Sequence, residues 1–306
     1  MPTAALNKPR LSSPSKKIAK KIDIGFTRTC ACADNHLNCL TPKEWMKSQL
    51  GVWEFFYEKR DIRKKDLHPA TFPIALAKKA IELFTHQGEL VVDPFNGSGT
   101  ALLAANDLGR NAVGFDINRA YCKLSDSRLP QDRDRGAMKQ LSICADARHM
   151  AEYLAPNSIS LSVTSPPYAN LLNRARKNKS RRGDQRQNDQ YGKVEQYSQD
   201  PADLGILSVA EYEAAMRDIY ARMLPLMKPK GDVVVNIADM WWEGQRVPLH
   251  LHIINALRNA GYVFKNTIIW NRLNVVNGIG IFGWPSNYIT MGTTFEYLLH
   301  FYKPAE

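Results

Sequence analysis

Ser165-Pro166-Pro167-Tyr168 brings a hydroxyl, two proline-linked carbonyls and an aromatic ring within four residues. The Ser165 hydroxyl and the Pro166 carbonyl can accept hydrogen bonds from an amino group, and the Tyr168 ring can stack on the base that carries it. The chemistry such a set suits is work on an exocyclic amine; a proline-stiffened surface turn is the plain alternative. An apolar, β-branched run from Ile159 to Val163 precedes the four residues and reads as a buried strand. Two prolines then bar both a helix and further ladder pairing, so the chain must leave the sheet stiff and extended. In open α/β sheets, the carboxyl end of a strand is where ligands bind.

A second set lies at Asp93-Pro94-Phe95-Asn96-Gly97-Ser98-Gly99-Thr100, between a strand read over Glu89 to Asp93 and a helix. Gly97 and Gly99 let backbone amides approach a ligand, and the helix N-terminus favours a negative group. No Lys follows the second glycine, as a phosphate-binding P-loop requires. Leu102 stands where the third glycine of a dinucleotide fingerprint belongs. Asn111 to Phe115 reads as the next strand and ends at Asp116, where a carboxylate can accept both hydroxyls of a ribose. A cap for the following helix is the other reading of Asp116. Leu141 to Cys144 reads as a third strand, followed by Asp146, with Cys122 and Cys144 expected as small buried hydrophobes.

Ser-Pro-Pro-Tyr after a strand resembles the catalytic motif of the amino-methyltransferases, which use S-adenosylmethionine to methylate cytosine N4 or adenine N6 in DNA. His68-Pro69-Ala70-Thr71-Phe72-Pro73 before a helix resembles the segment that closes over the cofactor in the bacterial enzymes. The resemblance runs from about Leu67 to the C-terminus. It implies that Ser165, Pro166, Pro167 and Tyr168 are catalytic. It further implies a cofactor site of His68, Pro69, Phe72, Asp93, Phe95, Asn96, Gly97, Ser98, Gly99, Thr100, Asp116 and Asp146. In that family the glycine loop takes the methionine carboxylate with Phe95 packed beside it, and Asp146 would meet the adenine amino group. Ser at the first catalytic position leans toward cytosine N4, whereas Asp or Asn is more usual for adenine N6. Two departures stand out: Ala101 replaces a frequent second Thr, and the catalytic turn follows the cofactor loop, where many such relatives carry it first. Cytosine-C5 methylation needs a cysteine nucleophile, usually in a Pro-Cys turn, and no Pro-Cys pair occurs.

These residues need a scaffold, and 306 residues suffice for one large α/β domain or two small ones. Seven strands with intervening helices suggest an α/β fold, and the resemblance implies its Rossmann-like class I methyltransferase form. Its sheet is expected to be mostly parallel, closed by a C-terminal antiparallel strand pair and covered by helices on both faces. Thr41-Pro42-Lys43-Glu44 is a helix start with a capping box, and Trp53, Phe55, Phe56 and Tyr57 read as core aromatics. Ser208 to Met227 reads as a helix stopped by Lys230-Gly231, with a strand from Asp232 to Ala238 running into Trp241 and Trp242, which could wall a base pocket or pack. A helix over Val247 to Ala260 and strands over Phe264 to Trp270 and Phe295 to Tyr302 complete the sheet.

Residues 1–40 read as a basic, flexible tail and 41–306 as the catalytic domain. Within the latter, a basic, amide-rich insertion at about 169–206 is expected to contact DNA. Cys30, Cys32, His36 and Cys39 crowd the tail. Cys-x-Cys-x3-His-x2-Cys is not a common finger pattern, and all four ligands would come from one short loop, so it reads as chance clustering and no metal is expected.

A net charge of +11 points to a polyanionic partner, most simply DNA, although charge does not separate DNA from RNA. No apolar run reaches a membrane span. Five cysteines in a chain this long fit a reducing cytosol. The expectation is therefore a cytoplasmic DNA methyltransferase acting on cytosine N4 of a flipped-out base, with a cognate restriction endonuclease left open. The alternatives are N6-adenine methylation, a nicotinamide-dependent oxidoreductase, and a non-catalytic nucleic-acid-binding relative.

Overall fold

Leu90–Asp93 is apolar at its first three positions and buried at all four, as a central parallel strand must be. This and the other elements come from a computed structural model that describes residues 21–61, 68, 71–130, 138–169, 200–242, 245–274 and 293–305. In chain order they are α1 (Pro42–Ser48), β1 (Val52–Glu54), α2 (Ile74–Phe84), β2 (Leu90–Asp93), α3 (Thr100–Asp107), β3 (Asn111–Asp116), α4 (Arg119–Arg128), β4 (Gln140–Cys144) and β5 (Ile159–Thr164). After them come α5 (Val209–Met223), β6 (Met227–Ile237), β7 (Met240–Trp242), β8 (Gln245–Val247), α6 (Leu249–Asn259), β9 (Val263–Asn271) and β10 (Phe295–Tyr302).

The main sheet has the order β1-β9-β10-β6-β5-β2-β3-β4. β2 pairs in parallel with β3 and β5, β3 with β4, and β5 with β6. Among the described strands of this sheet, only β10 runs against its neighbours, antiparallel to both β6 and β9. This is the expected Rossmann-like class I methyltransferase fold with its C-terminal antiparallel pair. An eighth strand is added, because β1 joins the edge in parallel with β9. β7 and β8 form a separate hairpin.

Successive residues of β2 feed opposite cores, as a pleated strand requires. Leu90 and Val92 join Tyr212, Met216 and Tyr220 of α5, while Val91 joins Ile74, Leu76 and Ile81 of α2 and Leu102 of α3. Trp53 belongs to the second core, whereas Phe56 is exposed. Thr41 caps α1 with the full capping box, and Ser208 does the same for α5.

Two expectations need correction. The helix read through Met227 ends at Met223, and the strand read from Asp232 begins at Met227. Pro225 lacks the amide that would continue the α-helix, so a 3-10 turn over Leu224–Leu226 replaces it. The strand then absorbs Lys230 at φ 62 as an irregularity, and its pairing with β5 jumps from Met227 to Asp232. Residues 21–40, read as tail, instead pack on the domain. Ile24 is buried, Ile22 N donates to the Tyr153 carbonyl, and Lys228 Nζ donates to the Phe26 carbonyl. Residues 1–20, most of the 169–206 insertion and the side chains of Trp241 and Trp242 lie outside the described residues.

Candidate active site

β2 and β5 lie side by side, but from β2 the chain proceeds to β3 and β4 on one flank and returns to β5 on the other. Loops leaving these two strands part in opposite directions and leave a crevice at their carboxyl ends. The glycine loop leaves β2 and Ser165 leaves β5, so the topology itself brings the two motifs together.

A buried acid fastens them. Thr164 Oγ1, one residue before Ser165, donates to Asp93 Oδ1 at 2.5 Å, and Phe95 N donates to the same oxygen at 3.0 Å. Burial pushes the Asp93 carboxyl up to about 7, against the pull of those two hydrogen bonds, and the Asp116 charge adds to the rise. Asp93 is therefore a brace between the loops.

Gly97 sits at φ 48, and a Cβ there would lie 2.5 Å from His68 Nε2. Its amide donates to Asp116 Oδ2 at 2.7 Å, while Asn118 N donates to Asp116 Oδ1 at 2.8 Å. Asp116 thus spans the glycine loop and the start of α4. Each of its oxygens has taken one backbone proton and can accept another. Burial pushes this carboxyl up to about 6, opposed by the two amide bonds, and the nearby Asp203 charge raises it further. The cap of α4 is Asn118, whose side chain accepts from Ala120 N, so Asp116 is not the helix cap; it orders the loop and still lines the crevice.

One pocket is lined by His68, Phe95, Gly97, Asp116, Asp146, Ser165, Pro166 and Pro167. Phe72, Asp93, Asn96, Ser98, Gly99 and Thr100 do not form its wall; each is buried behind it. Phe72 packs in the second core. Asn96 N donates to the Phe115 carbonyl at 2.8 Å, and Arg128 holds the Ser98 carbonyl and hydroxyl. Tyr168 does not line the pocket either. Its ring is half-buried against the first core, and its hydroxyl accepts from Ala238 N at 3.1 Å. Pro69 lies outside the described residues. Cys122 is buried as expected, but Cys144 is exposed at the end of β4.

The structure adds wall residues that the motifs did not indicate. Tyr121 of α4 packs its ring against His68 at a centroid distance of 4.6 Å, and burial pushes its hydroxyl up to about 12. Arg148 grips both oxygens of Asp146 through Nε, at 3.0 Å each, and Nη2, at 2.6 Å. This pairing pulls the Asp146 carboxyl down against the opposing effect of its burial. Asp203 is buried, caps the turn at Leu204–Ile206 and faces the pocket. Its sequence signal, a lone Asp two residues after Pro201, is that of any helix cap. Behind Ser165, Asn236 Nδ2 donates to Glu296 Oε2 at 2.7 Å and approaches Ser165 Oγ at 3.5 Å, and Arg272 closes the chain through Glu296. Burial pushes the Glu296 carboxyl up, opposed by Arg272 and by hydrogen bonds from Asn236 and Tyr168.

Charge decides what this pocket can hold. The chain carries 41 Lys and Arg against 30 Asp and Glu, yet the wall offers Asp116, Asp146 and Asp203 against Arg148 and His68. Arg148 is already committed to Asp146. Such a wall disfavours a pyrophosphate and suits a nucleoside with hydroxyl donors and a positive centre. S-adenosylmethionine fits this donor set. Asp116 offers acceptors for ribose hydroxyls, the bare backbone at Gly97 leaves room that a Cβ would fill, and Phe95 with the prolines supplies apolar wall.

Comparison with known proteins agrees with the first part of this reading. Residues 8–127 match the family N6_N4_Mtase, described as DNA methylase. The matched range holds His68, the glycine loop and Asp116 and stops before Ser165. The chain is 36% identical over 93 residues to the type II methyltransferase M.BglI of Bacillus subtilis, which is 30% of this chain and 26% of that protein. It is 35% identical over 82 residues to the type II methyltransferase M.HpaI of Haemophilus parainfluenzae, covering 27% and 26%. The matched segments thus span about a quarter of the length of these relatives. The solved structure of TrmN from Thermus thermophilus aligns over 79% of this chain and 52% of that one, at 16% identity and a TM-score of 0.46. Over residues 8–127, then, which hold the cofactor loop, the chain is similar to DNA methyltransferases of the amino-group type.

Proposed function

We propose that the chain transfers the methyl group of S-adenosylmethionine to the exocyclic amino group of a DNA base, with cytosine N4 as the acceptor. The observation that carries this reading is the meeting of Gly97, Asp116 and Ser165-Pro166 in one acid-lined crevice at the switch point of the sheet. Similarity of residues 8–127 to DNA methylases supports the polymer, and the net charge of +11 suits it. The choice of cytosine rests on the resemblance at Ser165.

When bound, S-adenosylmethionine supplies a sulfonium methyl, an electrophile that needs no metal. Gly97, Phe95, Asp116 and His68 would hold it, with Asp146 and Asp203 completing the wall. The target base must leave the duplex, because its amino group is otherwise paired. Ser165 Oγ and the Pro166 carbonyl would then accept hydrogen bonds from the two amino hydrogens and draw the nitrogen lone pair out of conjugation with the ring. The one proton that the amine gives up on gaining the methyl leaves to solvent. Asn236 holds Ser165 from behind, so the acceptor is positioned before the base arrives. Pro166 and Pro167 keep the turn rigid, and most of the rate comes from placement. Tyr168, its hydroxyl accepting from Ala238 N, would offer its ring for the base to stack on.

Nucleoside mass spectrometry on DNA from cells expressing the protein, with Ser165→Ala as control, tests the assignment. N4-methylcytosine that disappears in the control is the expected result. N6-methyladenine would overturn the choice of base, and neither mark would overturn the proposed substrate.

A further inference from the structure

Away from the crevice, at the amino end of β2, the chain assembles a set of soft donors that the catalytic reading does not use. Cys30, Cys32 and Cys39 converge with His86, and the four ligand atoms all lie within 4.8 Å of one another. Cys30 Sγ is 3.3 Å from His86 Nδ1 and 3.5 Å from Cys39 Sγ, and Cys39 Sγ is 3.8 Å from His86 Nδ1. A tetrahedral zinc with Zn–S near 2.3 Å and Zn–N near 2.05 Å spaces two sulfurs about 3.8 Å apart and a sulfur and nitrogen about 3.6 Å apart. The three separations among Cys30, Cys39 and His86 lie within about 0.3 Å of those values, and Cys32 Sγ stays within 4.8 Å of the other three donors. Thiols are weak hydrogen-bond donors and gain little by crowding together, so the convergence calls for a stronger common partner.

We propose that Cys30, Cys32, Cys39 and His86 form a structural Cys3His zinc site. Three sulfurs and one imidazole select zinc over harder cations, and four protein ligands leave no open position for catalysis. Binding displaces the three thiol protons, which leave to solvent. The surroundings fit a site of net negative charge. Gln87 N donates to Cys39 Sγ at 3.3 Å, and the Arg28 guanidinium donates to the carbonyls of Cys30 and Cys32. Backbone geometry also points the ligands inward: Thr29 N donates to the Gln87 carbonyl at 2.9 Å, and Leu37 and Leu40 pair across a tight turn in which Asn38 has φ 54.

His36, the histidine inside the loop, is not in the cluster; the fourth ligand comes from beyond α2, 47 residues after Cys39. That separation changes the role of the site. A zinc held within one loop would stiffen only that loop, whereas this one ties residues 21–40 to the turn that feeds β2.

The test is zinc content by plasma mass spectrometry on tag-free protein purified from zinc-supplemented cells, with cobalt(II) reconstitution of the chelated wild type. One zinc per chain is expected, together with the thiolate charge-transfer and tetrahedral d–d bands of cobalt. Cys39→Ser and His86→Ala should lose the metal, His86→Cys should keep it as a four-sulfur site, and His36→Ala should keep it fully. Zinc at trace level in the wild type would overturn the proposal, as would a Cys30–Cys39 disulfide in protein isolated without oxidant. Loss in His36→Ala with retention in His86→Ala would also overturn it. Octahedral cobalt spectra in the wild type would do the same without relying on any variant's folding.

Discussion

At the carboxyl ends of β2 to β5 the chain places carboxylates, glycines and prolines; at the amino end of β2 it places three thiols and an imidazole. Both sets are joined by the same short strand, Leu90–Asp93, and they differ in what surrounds them. The acids at the crevice are buried at a cost that shows in their titration: Asp93 and Asp116 are pushed up to about 7 and about 6. Asp116 lines a cavity, so its charge can be met by a ligand, whereas Asp93 is spent on bracing the two loops. The thiols at the other end face one another, the His86 ring and the backbone amide of Gln87. One end is arranged to receive a molecule and the other to hold the chain together. The account therefore expects changes at one end to leave the other end's readout in place.

The largest effect is expected at Gly97. An alanine there must take φ 48 with its Cβ 2.5 Å from His68 Nε2; strain of about 1–3 kcal/mol plus the displaced imidazole should weaken S-adenosylmethionine binding roughly a hundredfold. Calorimetric titration would show it, and binding within threefold of wild type would contradict the cradle. Asp116→Asn comes next, because it removes a charged acceptor while keeping shape. The loss of about 1.5–3 kcal/mol corresponds to roughly ten- to hundredfold in Kd, with the Cys3His zinc content unchanged.

Acidity probes the same carboxylate more gently. Ligand hydroxyls need ionised Asp116, whose pKa lies at about 6, so affinity should fall about tenfold from pH 7 to pH 5. Asp116→Asn should flatten that profile. The sign reverses for the ligand-free chain. Between roughly pH 4 and pH 6 native Asp116 keeps a proton that the unfolded chain has released, so this group's contribution to stability declines as pH rises through that window. The smallest effect should come from the far end: chelating zinc should lower the melting temperature yet change cofactor Kd by less than about twofold in the folded protein, since none of the four proposed ligands lines the crevice. A larger change would mean the two ends are coupled through β2.

The sheet was largely legible because its strands are apolar runs between strong punctuation. Phe295–Tyr302 is found at the bounds the sequence suggests, and Asn111–Asp116 ends on the acid that lines the crevice. The misplaced boundary between α5 and β6 came from reading Lys230-Gly231 as the helix stop when Pro225 had already ended it. The crevice was legible where a motif supplied both residue type and strand context, as at Gly97, Asp116 and Ser165. It was not legible where contacts arise from topology alone. Asn236 and Glu296 stand 60 positions apart and meet only because β10 pairs with β6. Motif membership also did not separate wall from brace, since Asp93 and Ser98 belong to the loop but face away from the pocket. The thiol cluster shows the same limit from the other side: spacing within one loop argued against a metal, and the fourth donor arrives through the packing of α2.

The central claim is that one crevice binds S-adenosylmethionine and presents it to an amino group held at Ser165. Its most direct test measures both steps on the same two proteins, wild type and Ser165→Ala, using methyl-labelled S-adenosylmethionine and unmethylated DNA. The account predicts equal cofactor affinity within about threefold and label on DNA from the wild type, falling by roughly 10²–10³ in the variant. Equal labelling by both proteins, or cofactor affinity that collapses with the serine, would contradict it.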